Sequence, residues 1–304
     1  MLSHGTPMTP GRFVRLFWQA LVAWFNDGAP SHGAAIAYYT LFALAPVLLA
    51  VIGIAGLVFG QEAVRGEIVG QIADLIGRDG AEAVQAILQR ASEPREGIGA
   101  TILGLVGLLF ATTGAFLEMQ TAFNKIWHVK TESRSLIDVK GLLVRRLRSL
   151  GVVVSIGFLL MVSLAISAAI NAASTWFGSM APGWPIALRV VNEVVGLTVS
   201  ATLFGVLFRV LSDVRLAWRH VAVGAVVTAV LFAVGQWLIG LYLGQAALAS
   251  PFGAAGTIAV ILVWVYYSTE IVLFGAELTR AYSSTQAHEP QPMAGAVRVA
   301  TPAS

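Results

Sequence analysis

The sequence predicts an all-α fold, a polytopic membrane protein built as a six-helix transmembrane bundle. An N-terminal interfacial helix and an extracytoplasmic helical hairpin complete it. Three observations predict this. Hydrophobic residues make up 57% of the 304 positions and charged residues only 12%, with a mean hydropathy of +0.78. A water-facing domain carries roughly 25% charged residues. The stretch Gly33 to Gly60 contains no charged side chain, and about 20 apolar residues suffice to cross a bilayer. Lastly, the basic residues segregate by topology. Of the nineteen Lys and Arg, fourteen fall on one side of a six-span arrangement and five on the other. Positive loops stay in the cytoplasm, so both termini are expected inside.

Residues 11–27, GRFVRLFWQALVAWFND, are too short and too polar to span. Arg12, Arg15, Gln19 and Asn26 gather near one face, with Phe13, Phe17, Leu21, Trp24 and Phe25 on the others. The pattern fits an amphipathic helix in the cytoplasmic interface, or one packed on the bundle. Ala29–Pro30–Ser31 breaks the chain, and Ser31 is a candidate cap for the first span.

That span, Ser31–Gly60, organises the rest. Pro46 sits in its middle and lacks the N–H that would bond Phe42, so a kink is expected there. A freed carbonyl is costly in hydrocarbon, which places this turn against protein or a wet gap. Tyr38 and Tyr39 bring hydroxyls that also need partners.

Residues 61–97 read as a water-exposed helical hairpin. Val64, Ile68, Val69, Ile72, Leu75 and Ile76 repeat at helical spacing, Gly77–Arg78–Asp79–Gly80 signals a turn, and Val84, Ile87 and Leu88 continue the apolar pattern. The hairpin is expected to cap the bundle, with a gate or docking surface as the alternative. Five further spans are expected at roughly 98–118, 143–172, 187–209, 219–243 and 253–280. Gly56–Gly60 and Gly240–Gly244 are small-xxx-small pairs that suit close helix packing. The organisation is thus a cytoplasmic region 1–30, a membrane domain 31–282 and a disordered cytoplasmic tail 283–304.

No enzyme is expected. There are no cysteines, the five histidines share no metal-binding spacing, and no phosphate loop or Gly-x-Ser-x-Gly elbow occurs. The main basic loop offers only Glu132 and Asp138 to a nuclease metal centre. Neither a cofactor nor a metal is implied, and nucleic acid is not an expected partner. Membrane lipids are. The loop 119–149 holds seven basic residues against two acidic ones; it either fixes topology or binds anionic headgroups. The sequence also admits a homo-oligomer.

The informative residues are polar groups at membrane depth. Glu270 lies well inside the last span, Glu277 follows on nearly the same face, and Glu118 ends the second span. A buried carboxylate must be paired, protonated or wet. A line of Glu270, Glu277 and Glu118 facing Pro46, Tyr38 and Tyr39 would make a polar path opening inward. Static pairing of Glu118 and Glu277 with Arg145, Arg209 or Arg280 is the alternative.

Five stretches carry a family resemblance: Ala37–Pro46 (AYYTLFALAP), Ala122–Val129 (AFNKIWHV), Trp218-Arg219-His220 with Gly224-Ala225, Ser250–Gly256 (SPFGAAG) and Phe274–Thr279 (FGAELT). Together they resemble the YihY/BrkB family of bacterial inner-membrane proteins, once labelled ribonuclease BN. The resemblance implies six transmembrane helices with both ends in the cytoplasm, and no settled activity. Asn124, in the second stretch, joins the candidate path residues. The ribonuclease label is rejected for want of a catalytic set. The expected function is transport or permeation of a small or lipid-like molecule through a polar cavity. The alternative is a non-enzymatic envelope scaffold or lipid-binding protein.

Overall fold

The computed structural model describes residues 10–76, 78–92, 114–131, 184–245, 254–285, 291–293 and 296–299. In chain order the elements are α1 (Pro10–Asn26), α2 (Ala29–Phe59), α3 (Gln61–Ile76), α4 (Arg78–Ser92), α5 (114–126), β1 (Val129–Thr131), α6 (Trp184–Leu211), α7 (Trp218–Gln245), α8 (Ala254–Thr285) and β2 (Ala296–Arg298). Val190–Leu211, Trp218–Leu238 and Ile258–Thr285 are each long and apolar enough to cross a membrane. A fourth candidate is bent: Ala29–Ala45 and Val47–Gly53 meet at 45°. The break falls on Pro46, where a proline removes a ladder bond and crowds the preceding turn. The expected span 143–172, and residues 98–113 of the span at 98–118, lie outside the described residues, so these helices make three spans, or four with the bent one.

The chain divides into two units. The first comprises residues 1–27, 123–231 and 274–304. Here α1 lays Leu16 and Ala20 on Phe274 and Leu278 of α8, and the Phe17 and Phe274 rings meet edge to face at 4.9 Å. Its opposite side keeps Val14, Trp18, Val22 and Phe25 exposed. The helix therefore has one apolar face against protein and a second turned outward.

In the same unit α7 and α8 cross through a reciprocal contact. Gly224 faces Thr279, and Gly275 faces Thr228. Each threonine hydroxyl donates to the glycine carbonyl four residues earlier on its own helix: Thr228 to Gly224 at 2.7 Å and Thr279 to Gly275 at 2.8 Å. The hydroxyls are satisfied without water, as hydrocarbon requires, and the missing Cβ atoms let the backbones approach.

Two three-residue strands accompany the helices. Val129–Thr131 pairs antiparallel with Ala296–Arg298, Val129 opposite Arg298. Met293 N donates to Asp213 O, Arg215 N to Gln291 O and Val299 N to His128 O. The tail 283–304 is thus not a wholly disordered extension. α8 continues to Thr285, and residues 291–293 and 296–299 are held by backbone bonds to the 213–215 and 128–131 segments. Ala296–Arg298 is too short to show a period in the sequence.

The second unit comprises residues 28–122 and 232–273. Its core joins Ile52 of α2, Val84 and Leu88 of α4, and Val260 and Ile261 of α8, with Val64, Ile68 and Ile72 of α3 packed alongside. Within this unit α3 (Gln61–Ile76) and α4 (Arg78–Ser92) pack on α2 and α8, and residues 93–97 of the expected hairpin lie outside the described residues. Two details differ from the sequence reading. Helix α2 is capped by Gly28 in the left-handed region (φ 69°), with no side-chain cap bond, rather than by Ser31. The Gly56–Gly60 pair makes a turn instead of a helix crossing: Gly60 (φ 84°) donates to Gly56 O, and Gly56 lies against Gln61. A positive φ is cheap only for glycine.

Candidate functional site

In the second unit the first turns of α2 gather two of the expected carboxylates. His32 Nδ1 donates to Glu118 Oε1 at 2.7 Å. At the next residue, Gly33, a Cβ would strike the Glu270 carboxylate and lie 3.4 Å from Tyr266 Cε2. Glu270, 9% exposed, therefore sits where α8 can bring a carboxylate onto bare backbone. Two turns along α2, the Tyr39 ring packs on Gly114 of α5, one turn before Glu118. Tyr38 points elsewhere. It is exposed and stacks edge to face on Phe42 at 5.0 Å.

The first unit holds the other candidates. Glu277 is fully buried and accepts from Arg280 through Nε at 3.1 Å and Nη2 at 3.0 Å. Asp27 stands 3.9 Å from the same Nη2, and Arg280 Nη1 contacts His128 Nε2. An arginine only donates, so His128 Nε2 accepts and the neutral ring carries its hydrogen on Nδ1. Burial, and then the Arg280 guanidinium, push the His128 pKa below its ordinary 6.5, while Asp27 pulls the other way.

His128 also has the only positive φ of a non-glycine among the described residues, 50°. It follows α5 at the position where a helix often ends on a left-handed glycine. A non-glycine residue seldom adopts this conformation, and here the ring contacts Arg280.

Asn124 is paired with Asp213. Its Nδ2 donates to Asp213 Oδ2 at 2.9 Å, and its Oδ1 accepts from Asp213 N at 3.2 Å. Both residues are buried. The pair fastens α5 to the α6–α7 connection.

Glu118 and Glu270 thus meet adjacent residues of α2, whereas Glu277 belongs to a separate cluster in the other unit. Of the pairings considered from the sequence, Glu277 with Arg280 is present. Arg209 instead lies over the Trp218 ring, 4.8 Å from its centroid, and Arg145 is outside the described residues. His32, Asp27 and Asp213 were not singled out. No spacing rule links such distant positions, and only the fold joins them. Among the described residues no group of three His, Asp or Glu could hold a metal ion.

A family model described as Virulence factor BrkB matches residues 20–298. The chain belongs to the BrkB family. Among its relatives in this family, a UPF0761 membrane protein of Pseudomonas aeruginosa is 30% identical over 269 residues, covering 86% of this chain and 61% of the relative. Similar UPF0761 membrane proteins occur in Stenotrophomonas maltophilia (27% identical, 92% of this chain, 62% of the relative) and Alcanivorax borkumensis (25%, 91% and 63%). The chain spans about three fifths of the length of these relatives. No solved structure matches it. The BrkB match covers Gly224, Gly275 and Thr279 of the helix crossing, the Asn124–Asp213 pair and the Glu277–Arg280 cluster.

Proposed function

We propose that this membrane protein transports or permits passage of a small or lipid-like molecule. In this reading it lies in the bacterial inner membrane as six spans with both termini in the cytoplasm, the two further spans being 98–118 and 143–172. One observation carries the reading: Glu270, buried within the span Ile258–Thr285 and seated over Gly33. An acidic residue in the middle of a span costs about 2.5–3.5 kcal/mol on insertion scales, and such residues mark ion or substrate paths. The His32–Glu118 pair at the adjacent position of α2, and the bend further along that helix, add polar groups to the same helix. Broken helices with polar lining recur at transport sites. The sequence shows no nucleotide-binding loop, which leaves an ion gradient as one means of driving passage, and the reading includes no cofactor and no enzymatic step.

The test is flux in proteoliposomes for wild type and Glu270→Gln, across a panel of small solutes and fluorescent lipids. Transport by wild type and its loss in a variant of unchanged melting temperature are expected. If nothing moves in wild type and the exchange alters only stability, the reading fails.

A second reading, an envelope scaffold, draws on the exposed start of α3, where Glu62 and Glu67 are open to solvent. A single protein partner crosslinked from position 62 in cells would favour it, and recovery of lipid alone would count against it.

A further inference from the structure

A cleft of about 420 Å³ lies beside the His128–Arg280 contact, wholly within the first unit. Its polar wall is formed by Gln19 of α1, Trp127 and His128 after α5, Arg280 and Ser284 of α8, and Arg298 of β2. Two guanidinium groups face it, and among the described residues no Asp or Glu lines it. The carboxylate of Glu277 holds the Nε and Nη2 edge of Arg280, which fixes the guanidinium plane and leaves Nη1 toward His128. The β1–β2 ribbon sets Arg298 opposite Val129, next in sequence to His128.

One further group points to a ligand. Trp127 is 8% exposed, and its indole Nε1 is buried with no hydrogen-bond acceptor among the described residues. An indole N–H only donates, and burying a donor without an acceptor is unfavourable. With Nδ1–H on His128, the wall is rich in donors. Its complement is a ligand rich in lone pairs and negative charge.

We propose that this cleft binds a phosphate-type oxyanion, held by Arg280, Arg298 and the Trp127 indole N–H. The volume exceeds what a bare phosphate needs and falls in the range of small-ligand pockets, about 300–1,000 Å³. The phosphate therefore carries a further group, either as a lipid headgroup or as a soluble phosphorylated compound. This site stands apart from Glu270 and does not depend on transport.

The test uses the full chain in nanodiscs. In neutral phosphatidylcholine discs, inorganic phosphate and glycerol 3-phosphate are titrated at constant ionic strength against a chloride control, with calorimetry and melting temperature as readouts. In discs containing phosphatidylglycerol, native mass spectrometry counts retained lipid. Saturable binding in either arm is expected, weakened about tenfold or more by Arg298→Gln and by Trp127→Phe, which keeps the ring and removes the donor. Arg219→Gln, outside the cleft, leaves binding unchanged. Retained phosphatidylglycerol that is lost in Arg298→Gln identifies a headgroup site, and binding of glycerol 3-phosphate without lipid retention identifies a soluble ligand. Phosphate acting no differently from chloride, with no lipid retained, overturns the proposal. So does wild-type binding in Arg298→Gln. Because Arg298 lies on a terminal strand, that variant tests the site even if Trp127→Phe does not fold.

Discussion

Thr279 stands directly on Gly224: a Cβ added at Gly224 would lie 2.9 Å from Thr279 Cβ and 3.0 Å from the Gly275 carbonyl oxygen. The reverse contact is equally close, since a Cβ at Gly275 would lie 3.0 Å from Thr228 Cβ and 3.1 Å from Phe208 Cζ. The backbone oxygen cannot move aside as a flexible side chain would. Gly224→Ala and Gly275→Ala should therefore each destabilise the protein by about 1–3 kcal/mol through overpacking. Thermal unfolding in a mild detergent measures this. Adding Thr279→Ala to Gly224→Ala should recover part of the loss, because the two sites share one contact. Equal stability of Gly224→Ala and wild type would show that the helices do not cross here.

Asn124, a candidate path residue, pairs with Asp213 through both ends of its amide. Asn124→Ala should cost about 1–3 kcal/mol, because it removes a partner from a buried carboxylate and a buried N–H. Asn124→Asp should cost more, since it sets a second carboxylate against Asp213. The check is the melting temperature of both variants beside their flux. Loss of flux with no change in melting temperature would return Asn124 to the path.

Much of the membrane architecture was legible because hydropathy over 20 residues is a strong signal and a proline within a span has few outcomes. The expected spans at 187–209, 219–243 and 253–280 correspond to α6, α7 and α8, and the bend falls where Pro46 does. The glycine–threonine crossing was half visible. Gly224, Gly275 and Thr279 were noted as family residues, and the Gly-xxx-Thr spacing could have been read as a packing motif. Side-chain pairing was less legible. His32 with Glu118 joins positions 86 apart in sequence, and Asn124 with Asp213 joins positions 89 apart. From the sequence, α2 is the expected centre of the bundle. In the structure Ile271–Thr279 of α8 is a continuous buried run, whereas Tyr38 and Phe42 of α2 are exposed.

The His128 environment has a pH consequence. The unfolded ring takes up a proton near 6.5, and the folded ring only at lower pH, because burial and then Arg280 oppose its charge. Between those values the unfolded state binds more protons, so stability rises with pH through the window and is lost as pH falls below about 6.5. Glu277 and Asp27 flank Arg280, and Arg298 lines the same cleft as His128. His128→Asn tolerates the left-handed backbone and does not titrate. Wild type should lose more melting temperature than His128→Asn between pH 7.5 and pH 5.5, a range that brackets the ordinary imidazole value. Parallel curves would contradict this.

The proposed orientation is testable because the chain contains no cysteine, which leaves no labelling background. Glu62→Cys should react with a membrane-impermeant maleimide in spheroplasts. Lys125→Cys, an exposed position on α5, should react only after permeabilisation. The opposite pattern would invert the topology, and labelling of both from one side would place the 61–97 hairpin with the basic loop.

The central claim is that Glu270 occupies an enclosed polar neighbourhood reached by water. Thiols react as thiolates, which need water or a polar setting. The direct measurement is therefore the reaction rate of a single cysteine at position 270, in membranes, with a small charged methanethiosulfonate reagent and with a lipid-soluble maleimide. Measurable reaction with the charged reagent, slowed by the bulkier Gly33→Val in the same background, is the predicted result. Reaction with neither reagent until the protein is denatured would place position 270 in a dry setting and contradict the account.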